Sequence, residues 1–278
     1  MKTRIITAII ALCILIPVLC FSHTFIFPMA VAAVGIICVY EMARCIGQKK
    51  LLVTLPLYVM MGVAPFLIRY TSIRTFSICA FITIGVFLLY LFTVTILSHG
   101  KFTFSDASTL YTVSLYIIAA CTSIVYTRDF GNFGKYIYLL IFIGAWVTDT
   151  FAYFTGVLFG KHKLIPDVSP KKTIEGSVGG TVFCALFFVG FALLVDYFVA
   201  GAEANILLLA IAGIVIALIS QIGDLIMSVI KRHYGIKDYG KLFPGHGGML
   251  DRFDSILAVS LGIAMVCSLA SLLGINIL

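Results

Sequence analysis

Apolar stretches of about 20 residues recur along the whole chain, and this recurrence limits the possible fold more than any other feature. Each stretch is long enough to cross the hydrocarbon core of a bilayer as a helix. With 62% hydrophobic and 11% charged residues, the chain differs from a soluble globular domain. We therefore predict an all-α, polytopic membrane protein of about nine transmembrane helices, near residues 5–22, 24–43, 51–68, 75–97, 109–126, 137–160, 177–200, 205–230 and 255–274.

The lysines and arginines between these stretches predict the orientation, because cytoplasmic loops of membrane proteins are enriched in them. If the N-terminus is cytoplasmic, the outer loops hold only Arg69, Arg74, Arg128 and Lys135 of the 19 basic residues. We therefore expect a cytoplasmic N-terminus, a C-terminus outside and a location in the cell membrane. The same asymmetry accounts for the net charge of +7, so we predict no nucleic-acid partner.

The first half of the chain carries little chemistry apart from one acid. Glu41 lies near the cytoplasmic end of the second predicted span, and ionisable groups within membranes are costly. Arg44 follows at i+3, a spacing that favours an ion pair at the helix end. A functional role for Glu41 is the alternative.

The first of two polar segments in the second half covers residues 149–176. Asp149 lies deep enough in the sixth span to require a partner or water, which favours a function for it. Gly156 and Gly160 continue the same helix face and indicate close helix packing. The turn Ser169–Thr173, with sequence SPKKT, combines two ammonium groups with two hydroxyls. It is either a phosphate-handling loop or a solvated cytoplasmic loop.

The second polar segment, residues 231–254, has the sequence KRHYGIKDYGKLFPGHGGMLDRFD. No helix breaker separates it from the eighth span. Helical periodicity therefore places Asp224, Ser228, Lys231 and Arg232 along one face. The sequence thus predicts a carboxylate and two cations on one side of a helix end.

After this helix, glycines and a proline introduce a loop that ends in HGG at 246–248. The loop leads into the last span, and we expect its N–H groups to be free to bind an anion. Asp251 and Asp254 share one face of that helix. Carboxylates such as Asp224 and Asp251 suit Mg²⁺, which prefers oxygen ligands and keeps substrate phosphates in its shell. A loop of mutually neutralising charges, the alternative, would not need the helix breaks or the HGG.

The stretch SVIKRHYGIKDYGKLFPGHGGMLDRFD closely resembles the signature of the phosphatidate cytidylyltransferases. The shared pattern is S-x-x-K-R, four residues, K-D, and then P-x-H-G-G-x-x-D-R-x-D. DTFAYFTGVLFGKHKL and SPKKTIEG are similar to two further blocks of that family, so the resemblance covers roughly residues 145–255. Met227 departs from it, since the family usually has Glu there and a thioether is a poor Mg²⁺ ligand. Ile174 stands where the family often has Trp.

The resemblance implies a reaction in which phosphatidate and CTP give CDP-diacylglycerol and pyrophosphate, with Mg²⁺ required. CTP is water-soluble while phosphatidate stays in the bilayer, so we expect the site at the cytoplasmic membrane surface. The family also implies a homodimer. We accordingly divide the chain into N-terminal membrane helices, residues 1–136, and a catalytic region, residues 137–278, with cytoplasmic loops 161–176 and 231–254.

The residue roles follow from the motif and the charges. Asp224 and Asp251 are expected to hold one or two Mg²⁺ ions, with Asp254 as a third ligand or a support. Lys231 and Arg232, with Lys237, would neutralise the triphosphate and the departing pyrophosphate. The residues predicted to contact substrate or nucleotide are Asp149, Ser169, Lys171, Lys172, Thr173, Glu175, Ser228, Lys237, His246, Gly247, Gly248 and Arg252.

Two alternatives stay open. A related cytidylyltransferase could act on another lipid phosphate, and no residue excludes it. An ion-coupled transporter is the alternative from another class, because Glu41, Asp149 and Asp224 lie at or within spans. Transporters often have repeat-related halves with broken helices, whereas the polar residues here are confined to one half.

Overall fold

The computed structural model describes residues 2–245 and 247–278, without the side chains of residues 2–6 and 8. Ten helices and one hairpin make up this part of the chain. The helices are α1 (Lys2–Cys20), α2 (Ile26–Cys45), α3 (Leu51–Tyr70), α4 (Ile73–Leu97), α5 (Phe104–Arg128), α6 (Gly134–Ile137), α7 (Leu139–Phe159), α8 (Ile174–Phe198), α9 (Ile206–His233) and α10 (Leu250–Leu273), and the strands are β1 (Lys163–Ile165) and β2 (Ser169–Thr173).

In the described part of the chain, eight helical segments are long and apolar enough to span a membrane, with α6 and α7 counted as one. The prediction of an all-helical polytopic protein is therefore confirmed. The first predicted span, 5–22, falls on α1, whose first side chains lie outside the described residues; the apolar part that is described, Ile9–Cys20, is shorter. The largest differences from the predicted bounds are at α5 and α10, which begin earlier, at Phe104 and Leu250.

The chain forms two compact units, and the first comprises Met1–Val125 and Tyr234–Arg252. Within it α2 packs against α3, and α3 against α4. Gly35 on α2 allows the close approach, because a Cβ there would overlap the side chain of the fully buried Met61. Because the first unit includes Tyr234–Arg252, most of the predicted cytoplasmic loop 231–254 belongs to the same unit as the first helices. The division into residues 1–136 and 137–278 expected from the sequence stays a prediction.

The second unit comprises Tyr126–His233 and Phe253–Leu278. Its centre is α8, which packs against both α7 and α9. Small residues bring α7 and α8 together, since a Cβ on Gly180 would lie 2.7 Å from the carbonyl oxygen of Thr148. A Cβ on Gly156 would lie 2.9 Å from Oγ1 of Thr173, so the predicted packing role of this glycine is confirmed.

A small antiparallel hairpin precedes α8. β1 pairs with β2 through Lys163 opposite Thr173 and Ile165 opposite Ser169. The prediction of a turn at SPKKT is therefore wrong, since these five residues form β2. The physical reason is pairing with β1, which supplies backbone partners that the spacing of SPKKT does not reveal.

Candidate active site

Lys172 and Asp224 meet in the second unit, where Nζ of the lysine lies 2.6 Å from Oδ2 of the acid. The two side chains are only 26% and 27% exposed, and the ammonium nitrogen itself is buried. On β2, Lys172 is half-buried and reaches α9, while its neighbour Lys171 is exposed. The structure therefore joins the SPKKT segment to the face of α9 that the sequence predicted.

Two more acids belong to the same unit. Asp254 on α10 experiences the negative charges of Asp224 and Asp149, and the positive charge of Lys231 opposes them. Ser255 donates its hydroxyl to Oδ2 of Asp149 at 3.1 Å. We call Asp149, Asp224 and Asp254 the acidic cluster. Three carboxylates within electrostatic range favour any cation that reduces their repulsion.

The donor chemistry of the acidic cluster suits Mg²⁺, because carboxylate oxygens are its preferred protein ligands. Across residues 2–245 and 247–278, however, no three acid, histidine or cysteine side chains stand together as a ready metal site. Lys172 occupies Oδ2 of Asp224, while Oδ1 lies 3.5 Å from the hydroxyl of Ser228. A metal ion at Asp224 would therefore share the carboxylate with Lys172 or displace the ammonium group of that lysine.

In the first unit, Asp251 closes the glycine-rich turn. Its side chain is buried, and Oδ2 accepts the N–H groups of Tyr239 at 2.8 Å and Gly248 at 2.9 Å. Gly247, with φ of +88°, permits the tight path that brings the backbone to this carboxylate. The predicted metal ligand thus also organises the backbone around it.

The structure reveals a residue that the sequence argument undervalued. Glu41 on α2 is 4% exposed, and its Oε1 and Oε2 accept the N–H groups of Met249 and Leu250 at 3.0 and 2.8 Å. Within the described part of the chain it does not pair with Arg44, which instead contacts the ring and hydroxyl of Tyr40. The predicted ion pair is therefore wrong.

Glu41 and Asp251 also overturn the expectation that the N–H groups entering α10 are free for an anion. The amide of Gly248 is taken by Asp251, and those of Met249 and Leu250 are taken by Glu41. The protein's own carboxylates thus fill the position that the sequence offered to a phosphate. The signal in the sequence was the acid itself, isolated in an apolar span, but its partners lie 208 and 209 positions further along the chain.

A model of the cytidylyltransferase family matches residues 2–270 of the chain. The chain belongs to the cytidylyltransferase family. It is therefore a nucleotidyltransferase, which favours an enzyme over the transporter alternative.

Curated relatives match almost the whole chain. Phosphatidate cytidylyltransferase of Staphylococcus haemolyticus is 35% identical over 263 residues, covering 93% of this chain and 96% of the relative. The protein of the same name from Staphylococcus epidermidis is 36% identical over 265 residues with the same coverage. That of Staphylococcus aureus is 35% identical over 266 residues, again covering 93% and 96%. The similarity thus includes the first half, where the sequence argument found no motif.

Two predicted binding residues of this family member have local structural partners. Oγ1 of Thr173 accepts the N–H of Gly176 at 3.1 Å and so caps α8. Glu175 lies 2.6 Å from Nδ1 of His162, and its oxygens also accept the backbone N–H of His162. Both side chains therefore help to fix the hairpin and the start of α8.

The remaining predicted residues differ in accessibility. Ser169 is half-buried, and Lys231 at the end of α9 is likewise intermediate. Met227, at the position where the family usually has Glu, is fully buried. His246 lies outside the described residues. Four basic side chains are exposed to solvent, namely Lys171, Arg232, Lys237 and Arg252.

Proposed function

We propose that the protein is a phosphatidate cytidylyltransferase, which transfers CMP from CTP to phosphatidate and releases pyrophosphate. The observation that carries this proposal is the ion pair between Lys172 and Asp224. It brings two segments of the family motif together in a chain whose relatives of that name match 93% of its length. A site built from a lysine and acids suits reactions between phosphates.

The chemistry of the substrates determines what the protein must supply. The second pKa of a phosphate monoester is about 6, so the attacking oxygen of phosphatidate is largely deprotonated at neutral pH. A general base is therefore not the main requirement. The barrier comes from bringing two polyanions together, and positioned cations lower it. Lys172 and Lys231 provide positive charge beside the acidic cluster.

Mg²⁺ is proposed as the cofactor, held by Asp224 and Asp254 with Asp149 in support. When bound, it would neutralise phosphate oxygens and help to align the reacting groups. The ligand role predicted for Asp251 stays a prediction, as do the phosphate contacts of His246 and Gly247, whereas the amide of Gly248 is already bound by Asp251. Arg232, Lys237 and Arg252 are exposed, which suits binding of a triphosphate from solution.

The proposed location is the cytoplasmic surface of the cell membrane. The apolar helices support embedding in a bilayer, and the scarcity of basic residues in the outer loops favours a cytoplasmic N-terminus. The orientation, a ninth span formed by α1 and a homodimer belong to the proposal. Cysteine labelling of the loops with impermeant reagents would test the orientation.

A direct assay tests the function. The full chain, purified in lipid nanodiscs, should release pyrophosphate and form CDP-diacylglycerol from CTP and phosphatidate when Mg²⁺ is present. Diacylglycerol, which lacks the attacking phosphate, is the matched control and should give no product. Turnover of another lipid phosphate with no turnover of phosphatidate would overturn the substrate assignment.

A further inference from the structure

The carboxylate of Glu41 is enclosed by the glycine-rich segment of the same unit. A Cβ added to Gly240 or to Gly248 would overlap this carboxylate. At both positions only a hydrogen on Cα leaves room for the acid. The two glycines therefore leave room for Glu41. This packing explains why neither position carries a side chain, and no contact with substrate is needed to explain it.

The hydrogen bonds of Glu41 compensate its negative charge and also hold the backbone at the start of α10 in position. Each carboxylate oxygen accepts one of two successive amides, those of Met249 and Leu250. Charge-assisted bonds of this kind are roughly twice as strong as neutral ones, and the N-terminal end of a helix favours a negative charge. Two bonds to adjacent amides fix both the distance and the rotation of the start of α10.

Asp251 holds the same turn from within. Its Oδ2 binds the amides of Tyr239 and Gly248, so the segment is fastened at two successive places by two acids. Gly248 contacts both of them, through its N–H to Asp251 and through its Cα side to Glu41. A displacement of Glu41 would therefore be transmitted to the backbone that orients Asp251.

We propose that Glu41 is a positioning residue for the cytidylyltransferase reaction. It fixes residues 247–251 and thereby the direction of Asp251, and it does not itself contact substrate. The effect on turnover rests on the proposed function, whereas the effect on the backbone does not. The first half of the chain thus contributes to the reaction through one buried acid.

Two variants disturb this contact in different ways. Glu41→Gln keeps the size but turns an N–H donor toward an amide that is also a donor. Gly240→Ala keeps the charge and places a methyl group in the space of the carboxylate. Glu203→Gln, an exposed acid before α9, and Gly85→Ala, a helical glycine with open space beside it, are the matched controls.

The variants are compared in nanodiscs by kcat, KM, amide hydrogen exchange and the thermal unfolding midpoint. Because displacement of a reacting group by about 1 Å can cost on the order of 100-fold in rate, we expect kcat to fall by about 10- to 100-fold in both variants. KM for CTP should change little, as when only the transition state loses an interaction. Exchange should rise in residues 247–251 and stay unchanged in α8 and α9. Because both changes act on one contact, the double variant should be no slower than the slower single variant.

Several results would overturn the proposal. One is wild-type kcat in Glu41→Gln, and another is unchanged exchange at 247–251 in both variants. A fall in the unfolding midpoint with faster exchange throughout the chain would assign Glu41 to global folding instead. If the wild-type protein does not turn over CTP and phosphatidate, the proposed function fails. Exchange at 247–251 then decides by itself whether Glu41 holds the turn.

Discussion

Lys172 and Asp224 form a partly buried ion pair, with 2.6 Å between Nζ and Oδ2. One residue belongs to β2 and the other to α9, so the contact exists only when these two elements pack in the same unit. Asp224 also lies close enough to Asp254 for their negative charges to interact. This pair is the point at which the hairpin contributes to the acidic cluster.

Replacing Lys172 by methionine should therefore abolish most activity. The change leaves Asp224 without its cation beside two other carboxylates, and a buried charge that loses its partner is costly. We expect kcat/KM to fall by on the order of 100-fold or more. Lys171→Met, a neighbouring lysine that is exposed, is the control and should reduce activity far less. Equal losses in the two variants would mean that the hairpin acts only through its overall charge.

The proposed Mg²⁺ site predicts an altered metal requirement in Asp254→Asn. Loss of one negative charge from the acidic cluster should weaken the binding of Mg²⁺. We therefore expect the Mg²⁺ concentration for half-maximal pyrophosphate release to rise by about 10- to 100-fold. Asp167→Asn, in the exposed turn of the hairpin, provides the control. A variant with lower activity but an unchanged Mg²⁺ dependence would remove Asp254 from the ligand set.

Two substitutions at Asp251 separate its structural and chemical roles. Asp251→Ala leaves the amides of Tyr239 and Gly248 without their acceptor, which costs about 1 to 3 kcal/mol for each buried group. Asp251→Asn keeps an acceptor and should unfold near the wild-type temperature. If Asp251 is also a metal ligand, the asparagine variant should be folded and inactive. Near wild-type activity in that variant would restrict Asp251 to holding the turn.

Met227 stands where the family usually has Glu, and we expect that this chain does not tolerate Glu at that position. Met227 is fully buried, so Met227→Glu would place a carboxylate in packed surroundings. We expect a loss of about 3 kcal/mol or more in unfolding free energy. Met227→Leu conserves volume and should cost less than about 1.5 kcal/mol. Chemical unfolding in detergent distinguishes them; a stable, more active glutamate variant would contradict the packing role.

The sequence predicted much of the fold because membrane insertion depends on local composition. Each apolar stretch of sufficient length reports a span on its own, whatever its neighbours are. The motif could also be recognised locally, because S-x-x-K-R and H-G-G-x-x-D-R-x-D are defined by residue types at fixed spacings in the sequence. The face of α9 that carries Asp224 and Ser228 was predicted from helical periodicity alone, and their side chains do lie together.

The partners of these side chains depended on tertiary structure. SPKKT became a strand because β1 lies beside it, and Lys172 on that strand meets Asp224 on α9. Asp251 and Glu41 took the amides that were expected to bind phosphate.

By itself, the sequence determined the membrane helices and the residue types of the site, because both follow from composition and short-range spacing. Only the tertiary structure decided which acid neutralises which backbone group. Glu41 is distant in sequence from the turn it holds, and only folding of the first unit brings them into contact.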